Sequence, residues 1–302
     1  LDVAVFGPQS QRNRFERAAS FEEMESVPRG PRAIPAIPQL SAKHRKKLNG
    51  RRIELVISDG DPASLLAARL QGIPSIAVGH NVIFTRAELP PSVPTSALLY
   101  ERANAWLSTK PATAAVAANF LPLTPNDPNT RIARPDLRWN SWPSVVDEGF
   151  YLAYFRDGED GGLVEELARQ GRRVRVYGNF DGILPESAEK RPFDNKGFLA
   201  DLSRCRAVVA TGGSNLIAEA LYLEKPLFGI FKTWDMEQRI NVALLKERNL
   251  GDGCHIDEVS AEHVAGFVRC VEDGRFGTVN IRETMPTVSD AVVDTVRSLT
   301  QL

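Results

Sequence analysis

Short apolar runs alternate along this chain with segments whose apolar residues return every three or four positions. That alternation predicts strands followed by helices, and so an α/β protein built on parallel sheets. Early in the chain, Leu1–Phe6, Ile53–Ser58 and Ser75–Val78 read as buried strands, with a helix over Ala63–Gln71 joining the last two into a βαβ unit. From Phe150 the pattern is more regular. Strands at Phe150–Phe155, Arg173–Tyr177, Ala207–Ala210 and Leu227–Phe231 alternate with helices at Leu163–Arg169, Lys196–Ser203, Asn215–Leu223 and Met236–Arg248. An amphipathic segment, Ser289–Leu299, closes the pattern, and no solenoid-like repeat is present.

The segment Asn126–Ser144 carries three prolines, Pro128, Pro135 and Pro143, and no sustained apolar period. It reads as the linker between two lobes, with an N-terminal domain over 1–133 and a C-terminal domain over 134–302. A length of 302 residues suffices for two separate cores.

Composition narrows the function classes. With 43% hydrophobic and 25% charged residues the chain is neither disordered nor coiled coil, and Lys+Arg 37 against Asp+Glu 38 gives no global field for nucleic acid. Its three cysteines, Cys205, Cys254 and Cys270, are odd in number and widely spaced, which fits a reducing, cytoplasmic setting. No apolar run approaches the roughly 20 residues of a membrane span, and no leader pattern opens the chain. The basic run Lys43–Lys47 with Arg51 and Arg52 reads as a solvated helix, also suited to an anionic acceptor or to peripheral contact with a membrane surface.

The chemistry concentrates in Val208–Glu219, V-V-A-T-G-G-S-N-L-I-A-E, where a strand runs through Gly212-Gly213 directly into a helix. Such a junction suits a diphosphate: glycines let the ligand approach the backbone, and the helix start at Ser214 and Asn215 offers free N–H groups and a positive dipole end. The plainer alternative is a tight βα turn capped by Ser214 or Asn215. Glu219, one turn on, is not a capping-box partner because Leu216 stands three residues before it. Its carboxylate can accept two hydrogen bonds from the vicinal diol of a ribose, the alternative being a solvated glutamate. After the next strand, Asp235, Gln238 and Asn241 recur at three-residue spacing and suit sugar hydroxyls, unless Asp235 only caps its helix. Both loops leave their strands at the carboxyl edge, where open α/β sheets bind ligands.

Two further residues are candidates for proton transfer. His80 follows the strand Ser75–Val78 and is placed to act as a general base, or else as a hydrogen-bonded structural histidine. Asp59 ends its own strand and could orient that base. The sequence Asp59-Gly60-Asp61 spells a metal-binding D-x-D, but Asp61 before Pro62 reads better as a helix cap. No P-loop, G-x-G-x-x-G, nucleophile elbow or metal-ligand spacing appears.

The stretch T-G-G-S-N-L-I-A-E-A-L-Y-L-E-K-P-L, followed by D-M-E-Q-R-I-N, resembles the donor-binding half of GT-B glycosyltransferases, especially relatives of the peptidoglycan N-acetylglucosaminyltransferase. I-E-L-V-I-S-D-G-D-P-A-S-L-L-A-A-R-L-Q-G-I-P, F-Y-L-A-Y-F, V-R-V-Y-G-N-F and R-P-F-D-N-K-G-F-L-A-D-L resemble a branch of the same group, so the resemblance runs from Ile53 to Gly251. It implies two Rossmann-like domains facing across a cleft, with the last helix able to return to the first. It also implies an inverting, metal-independent hexosyl transfer from a nucleotide-diphosphate sugar, such as a UDP-sugar, to a hydroxyl acceptor, with no cofactor. The glycine turn with Ser214 would hold the diphosphate, Glu219 the ribose, Asp235 and Gln238 the sugar, and the backbone near Phe193 the base. The family normally opens with a strand, a glycine-rich turn and a helix. Here Leu1–Phe6 resembles its second strand, so a unit of about 30 residues is expected before it, or the first lobe has diverged. A non-catalytic nucleotide-sugar-binding subunit and a sugar-nucleotide epimerase are the alternatives.

Overall fold

The computed structural model describes residues 3–6, 37–49, 53–137, 144–180, 182–192 and 194–300. The chain divides into two compact units, Leu1–Leu89 with Leu99–Asp136 and Met285–Leu302, and Pro90–Leu98 with Leu137–Thr284. The division after Asp136 lies three residues beyond the expected boundary, and the C-terminal helix belongs to the first unit.

In the first unit, β1 (Val3–Phe6), β2 (Leu55–Asp59), β3 (Ser75–Gly79), β4 (Ala114–Ala118) and β5 (Thr130–Ala133) form a parallel sheet in that spatial order. Among the described residues the helices between them are α1 (Ile37–Asn49), α2 (Pro62–Leu70), α3 (Val82–Arg86) and α4 (Thr95–Thr109). Strand alternation decides what covers each face. Val56 packs with Ala67 and Ala68 of α2, while Leu55 and Ile57 join Ile76, Val78 and Val116 on the other face. The C-terminal helix, Val288–Thr300, lays Val288, Ala291 and Val292 on that second face. Its start is anchored by backbone bonds Arg134 N–H to Pro286 O (2.9 Å) and Val288 N–H to Arg134 O (3.0 Å).

The expected linker contains regular structure: Thr130–Ala133 is a strand paired with β4. In α1, Lys43, Arg45 and Lys46 are exposed but His44 is buried, so the basic run is a half-solvated helix.

The second unit carries a six-stranded parallel sheet. Its strands are β6 (Phe150–Gly158), β7 (Arg173–Phe180), β8 (Ala188–Lys190), β9 (Ala207–Thr211), β10 (Leu227–Phe231) and β11 (Gly251–His255), in spatial order β11-β10-β9-β6-β7-β8. Its longer helices among the described residues are α5 (Leu163–Arg169), α6 (Asn195–Arg204), α7 (Ser214–Tyr222), α8 (Met236–Glu247) and α9 (Ala261–Glu272). The chain winds outward from β6 to β8, returns, and winds the other way from β9 to β11. The reversal lies between β6 and β9, and open α/β sheets bind ligands at the carboxyl ends of strands at such a switch point. One face of the sheet is closed by Leu163, Val164 and Leu167 of α5 and Val264, Phe267 and Val268 of α9.

No helix among the described residues is long and apolar enough to cross a membrane.

Candidate functional site: the glycine turn at the carboxyl edge of the second sheet

The apolar strand β9 ends at Thr211 and the chain enters α7 through Gly212 and Gly213 without an intervening loop. Gly213 is the N-cap residue (φ −72, ψ 130) and no side chain caps the helix. The first backbone bond into α7 from outside is Ile217 N–H to Gly213 O, 3.1 Å. The amides of Ser214, Asn215 and Leu216 therefore have no intrahelical acceptor, and they sit at the positive end of the helix dipole. A Cβ on Gly213 would have nothing within 4 Å, so this flank of the turn is open.

Gly212 is a glycine for a different reason. A Cβ there would lie 2.9 Å from the Gln238 carbonyl oxygen and 3.0 Å from Val242 Cγ2. Two strand glycines repeat the arrangement: a Cβ on Gly229 would lie 2.7 Å from Val242 Cγ2, and one on Gly253 2.8 Å from Val242 Cγ1. Three missing side chains on neighbouring strands thus seat α8 close against the sheet end. Asn241 locks the seat, its Nδ2 donating to the Gly212 carbonyl oxygen at 3.0 Å. Asn241 is fully buried, and its amide supports the turn.

The seat brings the first turn of α8 beside the glycine turn. Gln238 packs on Gly212 through its backbone, and its Oε1 is buried without a hydrogen-bond partner among the described residues. Such an orphaned acceptor is the feature a ligand donor satisfies. Asp235 begins α8 without a side-chain capping bond. Burial pushes its carboxyl up from the ordinary range, Lys232 opposing, while Asp157 and Glu237 add to the rise. Glu219 is 5% exposed, on the buried part of α7, where it is not a solvated surface residue.

Between β10 and α8, Lys232 Nζ pairs with Glu159 Oε1 at 2.9 Å, a bond that raises the lysine pKa, and lies 5.7 Å from the centre of the exposed Trp234 ring. The next residue, Thr233, meets His255 Nε2 through its hydroxyl at 2.9 Å. In the neutral ring His255 Nδ1 accepts the Asp257 N–H, so Nε2 is the donor to Thr233. Glu159 comes from the loop after β6, which the sequence did not single out. Only the strand order reveals that this loop neighbours the glycine turn. Phe193 lies outside the described residues. A hollow of about 900 Å³ opens beyond β6, between α5 and the loop after β7, and no residue of the glycine turn lines it.

The proton-transfer candidates lie in the first unit, at adjacent strand ends. Asp59 closes β2, and His80 follows β3. His80 Nδ1 lies 2.9 Å from the Ala118 carbonyl oxygen, which can only accept, so Nδ1 is the donor in this contact. Phe84 packs edge-on against the ring and Phe120 stacks on it, fixing its plane. Asp61 accepts the Ser64 N–H at 2.7 Å ahead of Pro62, the cap expected from its position.

The family described as Glycosyl transferase family 1 matches residues 20–272. No curated protein sequence matches the chain. Among solved structures, spinosyn forosaminyltransferase SpnP superposes with TM-score 0.64 at 14% identity, covering 99% of this chain and 91% of that one. The glycosyltransferase VinC, solved in complex with dTDP, gives 0.65 at 14% identity over 100% of both chains. MurG of Acinetobacter baumannii gives 0.62 at 14% identity over 96% of this chain and 88% of that one. At such identities the likeness is one of fold, an α/β protein with two parallel sheets of the GT-B type.

Proposed function

The chain belongs to glycosyl transferase family 1, and from that premise we propose that it moves a hexose from a nucleotide-diphosphate sugar to an acceptor hydroxyl, with inversion and without a metal. The observation that carries the reading is the glycine turn. It opens onto the start of an uncapped helix at the point where the strand order reverses, beside the buried Oε1 of Gln238, which has no hydrogen-bond partner among the described residues.

In this reading the N–H groups of Ser214 and Asn215 receive the diphosphate, and the open flank of Gly213 admits it. Glu219 takes the ribose hydroxyls, the backbone around Phe193 the base, and Asp235 and Gln238 the sugar. Asn241 holds the turn in shape. The acceptor hydroxyl gives its proton to His80, whose ring the Ala118 carbonyl orients through Nδ1 while Asp59 ends the neighbouring strand, and its oxygen bonds to the anomeric carbon. The bond from that carbon to the phosphate oxygen breaks, and its electron pair leaves on the diphosphate. Fixed amides and a helix end supply the stabilisation a cation gives in other transferases, and they need no reorganisation as charge develops. One displacement inverts the anomeric centre. The relation to the peptidoglycan N-acetylglucosaminyltransferase is one branch of this reading; the solved relatives of similar fold include other glycosyltransferases. A cytoplasmic setting fits the unpaired cysteines.

The test uses water as the acceptor of last resort. Incubated with UDP-, dTDP- and GDP-hexoses in the presence of EDTA, the protein should release nucleoside diphosphate slowly from one of them and free the sugar with its anomeric configuration inverted, as read by NMR. Release that stops with EDTA would remove metal independence, and a retained configuration would remove the single displacement. Conversion of the donor to an isomeric nucleotide sugar would make the protein an epimerase instead.

A further inference from the structure

We infer that Lys232 is the cation that meets the donor's diphosphate, and that Glu159 is the partner it gives up to do so. The inference rests on the donor site proposed above and adds to it a residue from outside the glycine turn and the first turn of α8.

Register places the pair. On one side of β9, Thr211 lies opposite Ile230 of β10 and Gly212 N–H donates to the Ile230 carbonyl oxygen at 2.9 Å, so Lys232 leaves its strand beside the glycine turn. On the other side, Ala210 lies opposite Tyr154 of β6, whose loop carries Glu159. The 2.9 Å ion pair therefore joins the two loops that flank the end of β9, where the glycine turn emerges.

Its two arms differ. The Lys232 side chain is 11% exposed, while that of Glu159 is 59% exposed. The ammonium is held near the turn and the carboxylate is free to swing into water. An ion pair with one arm in solvent is weak, whereas an ammonium on a phosphate is charge-assisted on both sides. Exchange of Glu159 for phosphate is accordingly favourable.

Charge balance favours such a cation beside the amides. The carboxylates of Asp157, Glu159 and Glu237 bear on Lys232 or on neighbouring Asp235. A diphosphate brings about two further negative charges, against roughly half a positive charge from the helix end. Lys232, released from Glu159, supplies most of the remainder. Trp234, 5.7 Å from Nζ, gives the ammonium a second resting surface during the exchange.

Calorimetric titration of the full chain tests this. UDP, dTDP and GDP are first titrated into the wild type, and the tightest is then compared across K232Q, E159Q and Gly213→Val, together with its nucleoside monophosphate. K232Q should weaken the diphosphate about tenfold or more and the monophosphate less, while E159Q should tighten the diphosphate several-fold at low salt. Unchanged melting temperatures establish that the loop variants fold. Full affinity in K232Q alongside loss in Gly213→Val would overturn the role of Lys232 and leave the donor site standing. Weaker binding in E159Q would overturn the exchange. Failure of the wild type to bind any of the three diphosphates would take down the donor site itself.

Discussion

Two adjacent glycines in one turn should respond to the same substitution in opposite ways. In Gly212→Ala the backbone is not in the left-handed region, so any penalty comes from contact alone. The new methyl would stand 2.9 Å from the Gln238 carbonyl oxygen and 3.0 Å from Val242 Cγ2. A backbone oxygen cannot rotate away, and relief requires α8 to back off from the sheet, an overpacking cost of about 1–3 kcal/mol. For a unit of this size that lowers the melting temperature by roughly 2–12 °C, and the displaced helix carries Asp235 and Gln238 away from the turn. In Gly213→Ala the methyl meets nothing within 4 Å and the dihedrals, φ −72 and ψ 130, suit any residue. Stability should stay within about 0.5 kcal/mol, since the lost preference for glycine at a cap and the gain in unfolded-state entropy nearly cancel. The methyl nevertheless intrudes where the diphosphate approaches, so donor affinity falls. Differential scanning calorimetry and donor titration on both variants decide the matter. A Gly212→Ala protein that melts with the wild type, or a Gly213→Ala protein that loses as much stability, would refute the close-approach reasoning.

Removing the Asn241 amide in Asn241→Ala leaves the Gly212 carbonyl unsatisfied in a buried place, and should cost about 1–3 kcal/mol in thermal or urea unfolding while raising the donor KM. Asp61→Ala should lower stability by about 1 kcal/mol through loss of the α2 cap and leave kcat unchanged; a collapse of activity restored by added divalent cation would revive the metal reading. His80→Ala should reduce kcat by about 10²- to 10⁴-fold with donor affinity intact, as read by parallel kinetics and calorimetry. Equal loss of both would make His80 structural.

Much of the second unit was legible because its signals are local. Ala207–Thr211, Leu227–Phe231 and the helices after them show apolar runs ending in glycine or polar turns, and the structure keeps them within a residue or two of expectation. Other strands were hidden by their composition. Gly251–His255 reads as a loop, G-D-G-C-H, because Gly253 is required by the approach of Gly229 and Val242 and not by a turn. Ala114–Ala118 is alanine-rich, and alanine favours helix, so only pairing with β3 and β5 makes it a strand. Thr130–Ala133 is short and stands among prolines. The site divides the same way. The glycine turn and the Asp235–Asn241 run were visible as motifs, but the inward turn of Asn241 and the nearness of Glu159 to Lys232 depend on strand order and helix seating, which no local pattern encodes.

A crystal structure of the protein with its preferred nucleoside diphosphate tests the donor site most directly. Phosphate oxygens should lie within about 3.2 Å of the Ser214 and Asn215 amide nitrogens, with Gln238 Oε1 turned to the ligand or to a water it holds. Phosphates bound away from β9, with those amides still facing solvent, would contradict it.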